Sequence, residues 1–357
     1  MSEVLARIRV RETAGIRRFL YPLTAEIILP NCLDIFWIGL ESSTGDAIPL
    51  LISSADGIND QPLSIDFAVS LNPLASEDFK LIYGQEPNLV NDPLQVELTE
   101  EGYCSKQHLF NLVSNWNANI ESVVYGGVSH LRGSSKITRN GAELERKDYR
   151  NIYGNDLISA WFYAIGEYGD TRTTTKTQIT ACKSWATVTH ALEQPKPNDE
   201  IVFTLPLAIT SPTLTCDFGV GGYVFGKLDA DAPEIVWRTE FGDAPYARWS
   251  IATAGRVDYL GTVDSAEAFL PQRWFHLIDS DKALAVAITK LPEGCSEMTV
   301  RLTIQGDITI TFRLGKDITG PAEFGVCYHF LNNVPAIAAA TSPQSILLPP
   351  VVEVLTP

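Results

Sequence analysis

Cations are scarce in this 357-residue chain: 27 Lys and Arg stand against 43 Asp and Glu, for a formal charge of −16. Nucleic-acid binding needs clustered cations to neutralise phosphates and is excluded as a general role; a polyanionic ligand would need a local basic cleft set against that global field. Long apolar runs are missing too. Nothing approaches about 18 consecutive apolar residues, so no membrane-spanning helix is expected. The opening Met1-Ser-Glu-Val-Leu-Ala-Arg lacks a basic stretch followed by an apolar one. A cytoplasmic protein is therefore expected, or a secreted one whose signal has been removed. The six cysteines (Cys32, Cys104, Cys182, Cys216, Cys295 and Cys327) include no C-x-x-C pair. They read as free buried thiols in a reducing compartment, not as a zinc site or a disulfide framework. No G-x-S-x-G elbow and no H-E-x-x-H helix occurs, which sets aside serine-hydrolase and zincin chemistry. The glycines of Asp217-Phe-Gly-Val-Gly-Gly lie between β-rich runs and do not open a helix, so they are no dinucleotide fingerprint. No cofactor and no metal is expected.

Helix signals are also few; what is present is short β-rich runs punctuated by Gly, Pro, Asn and Asp. Strands are expected over 4–10, 23–29, 34–40, 50–52, 65–69 and 79–83, then, after a Pro-rich linker at 86–93, over 110–116, 120–125, 135–139, 158–165, 174–188, 201–207, 213–218, 235–239, 246–252, 274–279, 283–289, 298–305 and 307–314. The fold class is all-β, with a small unit over 1–95 and a large two-sheet sandwich over 96–357. The clearest hairpin is Thr299-Val-Arg-Leu-Thr-Ile-Gln-Gly-Asp-Ile-Thr-Ile-Thr-Phe-Arg-Leu, alternating on both arms about Gly306. Near the C-terminus, Ala336-Ile-Ala-Ala-Ala predicts a short helix against a sheet edge, followed by an extended end.

The opening is the most informative stretch. Val4, Ile8 and Val10 alternate with Arg7, Arg9 and Arg11, then Ala14-Gly15 breaks the pattern and Tyr21-Pro22 begins a second extended run. The pattern R-E-T-A-G-I-x-R-x-x-x-P across Arg11 to Pro22 resembles the start of the small RIFT-type β-barrel of exo-rhamnogalacturonan lyase-like proteins. The resemblance covers residues 4–30 by motif and the rest by architecture alone. It implies a small barrel followed by a β-supersandwich similar to galactose-mutarotase-like domains, and an oligosaccharide or polysaccharide as partner. Larger relatives add an α/α toroid, for which these 357 residues are expected to leave no room. The resemblance thus leaves open a binding protein, a partial enzyme relying on a second copy or a separate catalytic subunit, and an enzyme with its site on the sheet.

Polar residues within aromatic strands supply the candidate site. In Tyr125-Gly-Gly-Val-Ser-His-Leu-Arg, His130 and Arg132 stand two apart and share a face if the segment is a strand. A uronic-acid lyase acting by β-elimination needs such a set: a cation to neutralise the carboxylate and a His or Tyr to move the proton. His130, Arg132 and Tyr125 are the catalytic candidates. Asn115, Trp116 and Asn117 offer amides around an indole, and Trp274 and His276 share a strand face; these five are the substrate-binding candidates. A loop-end histidine, turn-forming asparagines and sheet-packed histidines are the plain alternatives for the same residues, with His190 and His329 read as core. A mutarotase-like epimerase would need a histidine opposed to a carboxylate such as Glu240 or Glu323, and a non-catalytic carbohydrate-binding or assembly module would need neither.

Overall fold

The computed structural model describes residues 3–28, 37–54, 63–85, 94–100, 102–143, 145–146, 152–155, 158–169 and 171–355. Of the described residues, 61% are in strands and 6% in helices, so the all-β class holds. The 86–93 linker and Cys32 lie outside the described residues.

The alternation at the N-terminus does what its period demands. In strand Glu3–Arg11, Ile8 and Val10 are fully buried, while Arg9 turns outward and its guanidinium forks onto Asp78 across the ladder at 2.7 and 3.0 Å. This strand sits inside a five-stranded sheet, ordered Val351–Leu355, Glu3–Arg11, Ser76–Tyr83, Ile38–Glu41 and Ala47–Ile48. A second sheet of three strands, Tyr21–Ile27, Leu63–Val69 and Leu50–Ser54, packs across the same core. The described strands of this unit thus form two sheets, not the continuous ring of a barrel. The chain's end belongs to this unit too: Val351–Leu355 pairs antiparallel with the first strand, Arg11 opposite Val351.

From Gln95 onward the strands, that last one excepted, belong to other sheets. A five-stranded meander runs from Gln95–Leu98 to Val128–Ser129, and beyond it an eight-stranded and a ten-stranded sheet form the sandwich. The expected hairpin is strands Cys295–Thr303 and Asp307–Leu314, Thr299 opposite Thr311. Val300, Leu302, Ile308, Ile310 and Phe312 are buried, while Arg313 pairs outward with Glu200 at 2.9 Å. Gly306 closes the turn at φ 84°, where a Cβ would stand 2.7 Å from Ile209 Cγ2. Only glycine meets both demands.

Strands Gly102–Lys106, Val224–Leu228, Arg256–Val263 and Ala322–Asn332 are not among those expected, and two further departures bear on the site. The run read as one strand over 174–188 is a hairpin, Thr171–Thr180 and Trp185–Leu192, turned by Cys182 at φ 60°. β-branched residues continue on both sides without Gly or Pro, which is why the break leaves little trace in the sequence. The C-terminal helix, Ala336–Leu347, lies not on a sheet edge but on the face of the ten-stranded sheet, over Trp274–Asp279, Lys282–Lys290 and Ala322–Asn332. The reason is volume. Lys282–Lys290 is buried on both faces: Leu284, Val286 and Ile288 enter the sandwich core, and Ala283, Ala285 and Ala287 leave shallow ground on the other side. Ala339 and Ala340 of the helix are themselves buried, so two small-residue surfaces approach closely.

The helix is tied to the first unit by the opening motif. Glu12 and Arg18 are buried and paired at 2.9 Å. Glu12 also accepts the backbone N–H groups of Ala14, Gly15, Ile16 and Leu74 at 2.8–3.1 Å. Arg18 donates to the carbonyls of Ser345 and Leu348, at 2.6 and 2.5 Å, at the helix C-terminus, where carbonyls lack internal partners and a cation is favoured. Replacing Glu12 by Ala orphans four N–H groups and leaves a buried guanidinium without its counter-charge. Chemical denaturation is expected to show a loss of about 3–5 kcal/mol, larger than for Arg18→Met, which leaves Glu12 its backbone donors. Equal or smaller cost for Glu12→Ala would contradict this account.

Candidate functional site

The eight candidate residues do not converge. The strand holding Val128–Ser129 ends before His130, and the chain crosses between sheets there: the His130 N–H donates to Val123, its carbonyl accepts from Ala208, and Leu131 bridges Leu207. The face expected to be shared by His130 and Arg132 is therefore not formed. His130 is buried, its Nε2 is 2.9 Å from Asn332 Oδ1, and burial is the main influence holding its pKa down to about 4. Arg132 points the other way, half-exposed, to an ion pair with Asp307. Tyr125 packs on Phe110 and contacts the His130 ring at 6.4 Å, and its carbonyl accepts from Asn332 Nδ2 at 2.8 Å.

The asparagine cluster is a turn. Asn115 Oδ1 accepts the N–H groups of Asn117 and Asn119 at 3.0 and 3.1 Å, its Nδ2 donates to Glu121, and Ala118 takes φ 58°. Trp116 lies edge-on to Tyr103 and donates to the Glu100 carbonyl at 3.1 Å. Trp274 and His276 do share a face, and their rings stack at 6.2 Å, but both are 1% exposed. His276 Nε2 stands 3.3 Å from Asp217 Oδ2, a cross-strand pair. Its Nδ1 is buried without a partner. Burial pushes His276 down to about 4 and Asp217 up. Glu240 and Glu323, the carboxylates an epimerase would oppose to histidine, pair instead with Arg238 and Lys290 at 2.9 and 2.7 Å.

A cleft of about 420 Å³ opens where the first unit meets the sandwich. Phe19 and Leu20 line it from the turn after the opening motif, Leu109, Phe110 and Tyr125 from the five-stranded sheet, and Lys183, Ser184 and His329 from the ten-stranded one. Its apolar floor is open to solvent: Phe19 is 66% and Leu109 55% exposed. Gln107 builds the turn that carries Lys183, donating to the carbonyls of Thr180 and Lys183 at 3.0 and 2.8 Å and accepting the Cys182 N–H at 2.6 Å. Lys183 lies over the Trp185 ring at 5.2 Å and donates to the Phe19 carbonyl, so it joins both units. Burial lowers its pKa to about 8, within the range where a lysine exchanges its proton near neutrality. Ser342 of the helix reaches His329 Nδ1, and burial lowers that imidazole to about 3.

Of the candidates read from the sequence, Tyr125 alone lines this cleft. Lys183, Gln107 and Phe19 were missed because the turn at 181–184 falls inside an expected strand and because Gln107 and Phe19 lie 76 and 164 residues from Lys183. Four of the five cysteines described are buried, while Cys182 is exposed. Among the described residues no helix is long and apolar enough to cross a membrane.

The histidines carry a pH signature. His130 and His276 are held at about 4, and His190 and His329 at about 3, in each case by burial. The unfolded chain, with imidazoles near 6.5, binds more protons than the fold between those values. Their contribution is thus complete above about pH 6.5 and is lost as pH falls toward 4 and below. Glu12 adds to this: burial pushes its carboxyl up, but the Leu74 N–H, Arg18 and the turn N–H groups outweigh it and leave the pKa lowered, so its contribution is also lost in acid. Thermal melts between pH 8 and 5 are expected to show Tm falling below pH 6.5, with a shallower slope in His130→Gln; a flat profile would contradict the assignment.

No family model matches the chain, and no curated protein does. Solved structures do match. A protein in glycosyl hydrolase family 38 from Enterococcus faecalis superposes with a TM-score of 0.61 at 11% identity, over 99% of this chain and 47% of its own. An α-mannosidase from the same organism gives 0.60 at 11% identity, over 98% and 46%. The chain therefore spans less than half the length of these structures, and what it shares with them is the fold: an all-β arrangement of stacked sheets matched over nearly its whole length.

Proposed function

We propose that the protein recognises a carbohydrate, an oligosaccharide held in the cleft between the first unit and the sandwich. The observation that carries the reading is the cleft itself. Its volume of about 420 Å³ falls within the ~300–1,000 Å³ of small-ligand sites, and it sets an aromatic and aliphatic floor beside a few polar groups. Phe19 and Tyr125 suit the C–H faces of pyranose rings, with Phe110 buried beneath Tyr125. Lys183 suits a sugar carboxylate or hydroxyl. The likeness in fold to a glycosyl hydrolase family 38 protein and an α-mannosidase adds support for a sugar ligand.

Recognition is favoured over hydrolysis because none of the described residues lining the cleft is an Asp or Glu, and glycoside hydrolysis ordinarily needs two carboxylates. β-Elimination of a uronic-acid sugar through His130, Arg132 and Tyr125 is less favoured: His130 is buried against Asn332 and Arg132 is engaged by Asp307 outside the cleft.

The test is calorimetric titration with a panel of neutral, pectic, alginate and glycosaminoglycan oligosaccharides. Tyr125→Ala is expected to weaken binding of all ligands. Lys183→Met is expected to weaken acidic ones about tenfold and neutral ones little, and affinity for acidic ligands in the wild type is expected to fall as pH rises through about 8, where Lys183 loses its charge. Absence of binding across the panel would overturn the proposal. Absorbance at 235 nm, monitored alongside, is expected to stay flat; a rise abolished by His130→Ala would replace recognition with elimination.

A further inference from the structure

A second cavity, of about 490 Å³, lies at one end of the sandwich, away from the cleft between the units. Its walls come from the end of strand Glu234–Phe241, from Tyr246, from the short helix Ala266–Phe269 and the turn after it, and from the loop before strand Cys295–Thr303. Phe241 and Tyr246 stand edge to face at 5.8 Å, and both rings contact Phe269. Leu270, Leu291 and Pro292 complete an apolar lining, into which one guanidinium is set.

That guanidinium belongs to Arg273, and its situation is unlike that of the described arginines that stand in ion pairs, and unlike that of Arg7, Arg17 and Arg248, which are exposed. Arg9, Arg132, Arg139, Arg238 and Arg313 each stand against a carboxylate, as the acidic composition favours. Arg273 lines the cavity with no carboxylate within ion-pair distance among the described residues, and its Nε is sealed from solvent without a hydrogen-bond partner. Burial lowers its pKa, the mark of a charge stripped of water and not repaid. Its backbone is fixed, the N–H donating to Leu270 and the carbonyl accepting from Ile288 at 2.9 Å, so the side chain is presented from a set position. A desolvated, preorganised and unpaired cation beside aromatic rings is the arrangement that binds an anion.

The rim narrows the class. Glu267 and Glu293, both exposed, stand at the cavity mouth. Two carboxylates on a chain of charge −16 repel phosphates and polyacids, while a single carboxylate is repelled least. Carboxylates also accept hydrogen bonds from hydroxyls. We infer that this cavity binds a small hydroxylated carboxylic acid of the uronic-acid type, with its carboxylate on Arg273, its ring against Tyr246 and Phe241, and its hydroxyls toward Glu267 and Glu293. The site is separate from the cleft proposed above and stands without it.

Ligand-observed NMR and calorimetry on the full chain, with galacturonate, galactose, acetate and inorganic phosphate as probes, test this. Galacturonate is expected to bind, with galactose, acetate and phosphate each at least tenfold weaker. Arg273→Gln is expected to reduce galacturonate binding at least tenfold. Ala266→Trp, an exposed change that fills the mouth without altering Arg273, is expected to do the same with Tm unchanged, which covers the case in which Arg273→Gln fails to fold. Lys183→Met is expected to leave this binding intact, so failure of the cleft proposal and of this one are told apart. Equal binding of galactose, tighter binding of phosphate, indifference to both site variants, or no binding of galacturonate would each overturn the inference.

Discussion

The architecture turns on one buried ion pair. Glu12 and Arg18 sit at the junction of the first unit, the C-terminal helix and the turn that reaches the cleft, and each satisfies groups the other cannot. Glu12 gathers the N–H groups of a tight turn and of Leu74. Arg18 gathers the carbonyls that end the helix and lies over the Tyr21 ring at 4.9 Å. A buried pair is weak evidence for net stability, but removing one partner is costly because it leaves a charge in apolar surroundings. Here the arrangement is a long-range one: it brings residues 12–18 to residues 345–348.

From that junction the rest of the arrangement follows. The helix can lie on the ten-stranded sheet because Ala283, Ala285 and Ala287 keep the surface beneath it shallow, and the final strand can then reach Glu3–Arg11 and complete the first sheet. The first unit is thereby closed by both ends of the chain. Phe19 and Leu20, immediately beyond Arg18, are held as one wall of the cleft, opposite Lys183 and Tyr125.

Burial also explains why the histidines, natural candidates for acid-base chemistry, carry so little of it. His130, His190 and His276 are all nearly inaccessible, and desolvation holds each neutral at physiological pH. An imidazole kept neutral that firmly is poorly matched to proton transfer near pH 7. Lysine responds to the same physics in the useful direction: burial brings Lys183 down toward neutrality while the cleft keeps it within reach of a ligand.

The all-β class, most strand positions and the hairpin about Gly306 were legible in the sequence, because alternation with period two is a local property that a buried sheet face imposes on neighbouring residues. The opening motif stood out as well, but its work was not legible: Glu12 and Arg18 act on backbone groups that lie 62 and some 330 residues away. The helix was visible from Ala336 onward, whereas its seat on the sheet face depended on small residues in a different strand. Strand periodicity placed Trp274 and His276 on one face, and they are; it could not tell that this face is covered by the helix. His130 and Arg132 parted because a crossover between sheets interrupts the period, and Lys183 escaped notice because a turn can form without Gly or Pro when a distant Gln107 supplies its hydrogen bonds. The sequence by itself determined which residues take extended conformation, since that rests on neighbours in the chain. Tertiary structure alone decided which faces are covered and which groups meet, since those depend on desolvation and on contacts between residues that the chain keeps far apart.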